Sequence, residues 1–294
     1  MKRLFIILGL FLGSSVLANW GEDTRLTYTT NGIGLSLNNA RTLAVKGATI
    51  HTVWYEKSAP EEIYYKRSLD GGDNWQSAVR LTNDNDRSVY PAVAVDDFGG
   101  VHVVWCNTMG THEKIWYIHS LDGGQTWDTI QTILDLSKTS NFPRYPTIAC
   151  RDSTVCVFWN DDRTGTDEIY FRKSVDKGKS WTQDSCLTQV DIMASMYPSV
   201  VIDDSENIHF VWREQKVTTF AIYYKRLGSP EVELSPDSAG IPCLAYGNGQ
   251  VHVVWDDRRG QKEIYYRRSV DRGVSPLKAL TTQKNRVTIY HPID

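Results

Sequence analysis

The sequence predicts an all-β chain: a β-propeller of four-stranded antiparallel blades, five of them complete, with an incomplete sixth hinted at by the ends. Three observations predict it. Apolar runs ending in tryptophan recur along the chain: IHTVW at Trp54, VHVVW at Trp105, VCVFW at Trp159, IHFVW at Trp212 and VHVVW at Trp255, in steps of 51, 54, 53 and 43 residues. A glycine- and aspartate-rich segment closing on tryptophan recurs at nearly the same period: SLDGGDNW (68–75), SLDGGQTW (120–127), SVDKGKSW (174–181) and a damaged copy, SVDRGVSP (269–276). Helix-period patterns are essentially absent, and a steady repeat of about 50 residues marks a stacked or toroidal scaffold.

Each unit is justified element by element. A run such as YPAVAV, YPTIAC, YPSVVI or IPCLAY, with RTLAV in the first unit, supplies a first strand. The tryptophan run is apolar at nearly every position, as a strand buried on both faces requires. A third strand follows a polar loop: EEIYYKRS, EKIWYIHS, DEIYFRKS, FAIYYKRL and KEIYYRRS. Weaker runs such as AVRLT and LKALT supply the fourth. The segments DDFGG and DDSEN read as turns between first and second strands. At the ends, DTRLTYTT reads as a lone outermost strand, and IYHPID resembles the start of another innermost one. The repeat overrides the length prior and predicts one toroidal domain over residues 19–294.

The chain opens MKRLFIILGLFLGSSVLA, a charged start, an apolar run and small residues before a cleavage point. Residues 1–18 therefore read as a secretory signal peptide, and the expected location is secreted or periplasmic after cleavage near Ala18. No later run is apolar and long enough to span a bilayer, so no membrane insertion is expected. The formal charge is −3, with no basic stripe, and nucleic acid is excluded as a partner. Five cysteines (Cys106, Cys150, Cys156, Cys186 and Cys243) show no zinc-ligand spacing, and neither a metal nor a cofactor is expected. Cys150 and Cys156 flank a short turn and could face each other across a hairpin, oxidised or reduced.

The pattern S-x-D-x-G-x-(T/S/N)-W between third and fourth strands resembles the Asp-box, the bacterial neuraminidase repeat of sialidase-like propellers. Its members here are Ser68, Asp70, Gly72 and Trp75; Ser120, Asp122, Gly124 and Trp127; Ser174, Asp176, Gly178 and Trp181; and Ser269, Asp271 and Gly273. The expected role is structural. The aspartate accepts backbone N–H bonds, the glycine takes a conformation other residues resist, and the tryptophan fills the gap between strands. The periodic His51, His102, His209 and His252 read as satisfied core residues for the same reason.

In a four-stranded meander, the loops between strands two and three share a face with the connections between blades. That loop face is where a glycan or other small ligand, or a protein partner, is expected. Blade three departs most from the repeat there: Arg144 stands where Val89 and Met196 occur, and Arg163 and Asp167 follow. The order is similar to the sialidase pattern of two arginines and an acid. The resemblance implies that Arg144 and Arg163 grip a substrate carboxylate bidentately and that Asp167 is the acid/base. Arg258 or Arg259 would be a further substrate-binding arginine, Glu214 the assisting glutamate, and Tyr290 the nucleophile of a retaining exo-α-sialidase. Two readings stand beside it. One is a non-catalytic propeller binding glycans or a protein, with Asp161 and Asp257 merely bracing Arg163 and Arg259 and Asp167 capping its strand like Glu62 and Glu263. The other is a five-bladed glycosidase using Asp161, Glu214 and Asp257.

Overall fold

A computed structural model describes residues 23–37, 41–83, 85–109, 112–128, 134–135, 142–257, 262–269 and 271. These residues form five antiparallel sheets in chain order, each a meander from an innermost to an outer strand. The fold is the predicted β-propeller. Blade one comprises Ile33–Gly34 and Leu43–Lys46, which share the innermost position, then Thr49–Glu56, Glu62–Ser68 and Val79–Arg80. Blade two is Arg87–Val95, Val101–Met109, His112–Ser120 and Leu134–Asp135; blade three is Arg144–Arg151, Thr154–Asp161, Glu168–Ser174 and Ser185–Cys186. Blade four is Ser195–Ile202, Ile208–Gln215, Phe220–Arg226 and Val232–Ser235, and blade five is Ala239–Gly247, Gln250–Asp257 and Glu263–Ser269.

The tryptophan strands are buried as their composition demands. Trp54, Trp105, Trp159, Trp212 and Trp255 lie between blades, and stacked aromatic pairs such as Trp54–Tyr64 and Trp212–Tyr223 cross to the third strand. Three of the periodic histidines, His51, His102 and His209, are core residues, whereas His252 is only partly buried. The Nδ1 atoms of His51, His102 and His209 lie 2.7 Å from the hydroxyls of Tyr65, Tyr117 and Tyr224. The Nε2 atoms of His102 and His209 face Asp96 and Asp203, whose carboxylates also organise the DDFGG and DDSEN turns.

The SxDxGxxW segments are tight turns whose glycine and tryptophan serve the preceding blade. Ser174 donates to Asp176 at 2.7 Å, and Gly178 N–H donates to the Ser174 hydroxyl. Ser68–Asp70, Ser120–Asp122 and Ser269–Asp271 repeat the first contact; Gly273 lies outside the described residues. A Cβ on Gly124 would stand 2.1 Å from the Tyr65 hydroxyl of blade one, and one on Gly178 1.8 Å from the Tyr117 hydroxyl of blade two. Both glycines also have positive φ, so two independent constraints exclude a side chain there. Trp127 and Trp181 then meet the same tyrosines edge-on, with ring centroids 4.8 and 4.9 Å apart.

Blade four has LGSP where this turn would be, and the blade before it has changed to match. In blade three Phe171 replaces the tyrosine and Cys156 the histidine, and Phe171, Cys156 and Leu227 share one apolar cluster. The turn's Gly228 has nothing within 4 Å of its Cβ position and meets no neighbouring ring, so the hydroxyl and its imidazole partner are absent together.

Two expectations need correction. Residues 23–29 of DTRLTYTT belong to no sheet; the Leu26 carbonyl instead accepts a bond from Lys66 Nζ of blade one. Cys150 and Cys156 do not face each other, because the register pairs Ala149 with Cys156 and Cys150 with Val155. Their side chains leave opposite faces of the blade, and all five cysteines are free. Residues 1–18, read as a signal peptide, and IYHPID lie outside the described residues. Arg41 ties the centre together: its carbonyl accepts from Val93 N–H of blade two, and its guanidinium donates to the Leu244 carbonyl of blade five.

Candidate functional site

The innermost strands of blades two, three and four each carry a β-bulge at a Tyr-Pro pair. The register skips between Val89 and Ala92, Arg144 and Thr147, and Met196 and Ser199. Proline has no N–H to give the ladder, so the skipped positions suit it. The tyrosines take left-handed backbone conformations, with φ of 56° at Tyr90, 54° at Tyr145 and 56° at Tyr197. Such conformations cost non-glycine residues roughly 1–3 kcal/mol and gather at functional sites. The rings form a continuous file: Tyr55–Tyr90 centroids are 6.0 Å apart, Tyr90–Tyr145 5.3 Å and Tyr145–Tyr197 4.9 Å. Burial first, then neighbouring Tyr197, pushes the Tyr145 phenol up to about 12. This half-buried aromatic floor presents both π-faces and hydroxyls.

Charged groups stand beside it. Arg144, next to Tyr145 at the bulge, places Nε 3.1 Å from Glu113 Oε2 of blade two. The contact is charge against charge without an aligned hydrogen bond: Glu113 Oε2 and Arg144 Nε are both buried and have no hydrogen-bond partner among the described residues. Buried polar atoms left unsatisfied in a folded chain call for an explanation, a functional role among them. Asp167 lies within electrostatic reach of Arg144 and Glu113, and its Oδ1 accepts from Asn160 Nδ2 at 2.7 Å. Burial raises the pKa of both carboxyls despite the guanidinium, which opposes the shift. One arginine between two carboxyls held toward the protonated form can supply a general acid, a carboxylate and an electrostatic anchor. On either side, Arg87 pairs with Glu61 at 2.9 Å, and the Arg213 guanidinium lies over Tyr197 and Phe220.

The structure brings Arg144 and Asp167 together and places Arg163 elsewhere. The Arg163 guanidinium bonds Asp161 Oδ2 at 2.5 Å and Asp184 Oδ2 at 2.6 Å, and it lies over the Tyr170 ring. Asp184 immediately precedes the outermost strand and also holds Arg172, so Arg163 braces the outer edge of the blade. Capping of the third strand falls to Glu168 rather than Asp167. Its Oε2 accepts from Thr188 Oγ1 while Thr188 accepts from Ile169 N–H, as Thr82 does with Glu62 and Ile63.

Asp161, Glu214 and Asp257 do not form one cluster through their contacts. Each accepts from the tryptophan two residues before it: Trp159 at 3.2 Å, Trp212 at 2.8 Å and Trp255 at 3.2 Å. Glu214 also takes the Ser195 hydroxyl. Arg258, Arg259 and Tyr290 lie outside the described residues. Among the described residues, no cluster of acidic, histidine or cysteine side chains suits a metal ion, and no helix is long and apolar enough to cross a membrane. Glu113 and the tyrosine file were missed in the sequence. The recurring YP pair was the available signal, but it was read only as the start of a strand.

No family model and no curated protein matches the chain. Solved structures do. An α-L-arabinofuranosidase of glycoside hydrolase family 93 from Fusarium graminearum, solved with arabinobiose, is 17% identical, with 80% of each chain covered and a TM-score of 0.56. An α-L-arabinanase from Penicillium chrysogenum is 16% identical over 79% of this chain and 83% of its own, with a TM-score of 0.54. An ulvan lyase of polysaccharide lyase family 25 is 13% identical over 82% and 70%, with a TM-score of 0.57. At such identities the likeness establishes the propeller fold.

Proposed function

We propose that the chain is an exported, glycan-acting propeller, a glycoside hydrolase whose reacting groups are Glu113 and Asp167, with Arg144 between them and Tyr90, Tyr145 and Tyr197 as the sugar platform. The observation that carries this reading is the unsatisfied Glu113–Arg144 contact beside the strained tyrosines. Glycoside hydrolysis needs two carboxyl groups on either side of the scissile bond, one of them protonated near neutral pH. Burial raises the pKa of both candidates, the direction that a general acid requires. Sugar rings present flat C–H faces that stack on tyrosine, and their hydroxyls bond phenols and carboxylates. Neighbours of the same fold were solved with arabinobiose or with a GlcA(1-4)Rha3S unit, which agrees with this reading.

Specificity for sialic acid is the less favoured version. It needs a cluster of guanidinium groups free to take the sugar carboxylate, and Arg163 is engaged by Asp161 and Asp184. The test is hydrolysis of fluorogenic α-L-arabinofuranoside and α-sialoside by residues 19–294. Glu113→Gln and Asp167→Asn are expected to lower turnover roughly 100-fold or more. Folded protein inert on such a panel would overturn the enzyme reading in favour of a glycan-binding propeller.

A further inference from the structure

The opposite face of the disc holds a cavity of about 410 Å³ between blades one and two, lined in part by His51, Arg67, Lys46, Gln76 and Gln125. Its cause is a missing carboxylate. In blades two and four the histidine of the second strand has two partners: a tyrosine hydroxyl on Nδ1, and Asp96 or Asp203 on Nε2. His51 keeps the first, Tyr65 at 2.7 Å, and lacks the second. The register explains the loss: Ala44 pairs with His51 as Ala94 pairs with His102, so Lys46 stands where blade two has Asp96. The blade-one turn is also one residue shorter.

His51 is only 1% exposed, yet its Nε2 has no hydrogen-bond partner among the described residues. In blades two and four a carboxylate faces Nε2, so Nε2 carries the hydrogen and Nδ1 accepts from the tyrosine. By analogy with His102 and His209 we assign His51 the same tautomer, which directs its Nε2–H into the cavity. Burial, then the Arg67 charge, holds this imidazole down to about 4, so it is a neutral donor at physiological pH. Arg67 is 9% exposed; its Nε and Nη1 donate to Gln76 and to the Gly123 carbonyl, and its Nη2 has no partner among the described residues. Lys46 reaches across the rim to Asp97. The one carboxylate on the lining, Asp122, is engaged by Ser120, Gln125 and Thr126. The walls thus offer donors and positive charge, and the void lies where an acceptor sits in the sister blades.

We propose that this cavity binds a small carboxylate, whose carboxyl group takes the place that Asp96 and Asp203 hold in blades two and four. The volume admits a monosaccharide acid as well as a simple fatty or hydroxy acid. The inference does not depend on the loop-face site.

The experiment is an NMR titration of the histidine rings in residues 19–294 with acetate, glucuronate, glucose and inorganic phosphate. Saturable displacement of the His51 ring by acetate or glucuronate, with a Kd of roughly 1 mM or tighter, is the expected result, with glucose and phosphate inert. Glucuronate binding more tightly than acetate assigns a sugar acid; equal binding assigns the carboxyl group alone. Lys46→Asp restores the internal carboxylate and is expected to weaken binding about tenfold or more, with the His102 and His209 signals unmoved. Absence of displacement by either carboxylate in the wild-type protein overturns the proposal. So does phosphate binding as tightly as acetate, or a folded Lys46→Asp variant that binds unchanged.

Discussion

Tyr117 in blade two and Tyr266 in blade five hold the same position in their strands, and each hydroxyl meets its blade's histidine, at 2.7 and 2.8 Å. Tyr117 is 1% exposed and Tyr266 54%. The isoleucines two positions earlier differ in the same way, Ile115 being fully buried and Ile264 63% exposed. Sequence and local geometry are nearly identical, so the difference comes from outside the strand. Blade three sets Gly178 and Trp181 on Tyr117, whereas no described residue does this for Tyr266. Across the ring, Leu43 and Val45 of blade one are likewise half exposed, and Trp75 has no tyrosine against it. Burial of a third strand is therefore a property of a pair of blades, as nearest-neighbour stacking predicts.

Substitutions can break or sharpen that contrast. The largest effect is expected from Gly178→Ala, whose Cβ would overlap the Tyr117 hydroxyl and resist the φ of 84°. A loss of about 3 kcal/mol or more follows, measurable by urea denaturation. Ile115→Ala comes next at about 2–4 kcal/mol, while Ile264→Ala should stay within about 0.5 kcal/mol. Equal losses at the two isoleucines would mean that blade five is covered in solution as blade two is. Tyr117→Phe strips His102 Nδ1 of its partner in a buried setting and should cost about 1–2 kcal/mol, against a few tenths for Tyr266→Phe.

The smallest effect concerns acid. Hydrogen bonds from Asn74 hold Asp70 down to about 2, and those from Ser180 do the same for Asp176. Carboxyls depressed in this way add stability that is present above their unfolded pKa near 4 and is lost as pH falls through about 2. Asp176→Asn should therefore flatten the acid limb of a stability–pH curve. Glu113 and Asp167 have the opposite sign: their raised pKa favours folding at low pH, and that contribution is lost as pH rises through the raised value.

The fold was legible because its signals are local and repeated. A tryptophan run buried on both faces, a YP pair and an SxDxGxxW turn each carry their geometry within a few residues. The site was only partly legible. Arg144 showed itself by breaking the repeat, but Glu113 is one more charged residue in a polar hairpin. Its significance comes from a neighbour 31 positions away. Arg163 broke the repeat for a different reason: Asp161, two residues before it, and Asp184 require a cation at the blade's outer edge. DTRLTYTT alternates like a strand, and alternation cannot say whether a ladder partner is within reach.

The change from tyrosine to phenylalanine at Phe171 has a consequence for how such a disc can be rearranged. A tyrosine in one blade and a glycine turn in the next are two halves of one joint, and blades three and four carry the blank version of both halves. Blades are therefore not interchangeable parts. Moving blade four behind blade two would strand the Tyr117 hydroxyl over a turn whose glycine is not placed to receive it, whereas blades three and four transplanted together keep the joint between them intact.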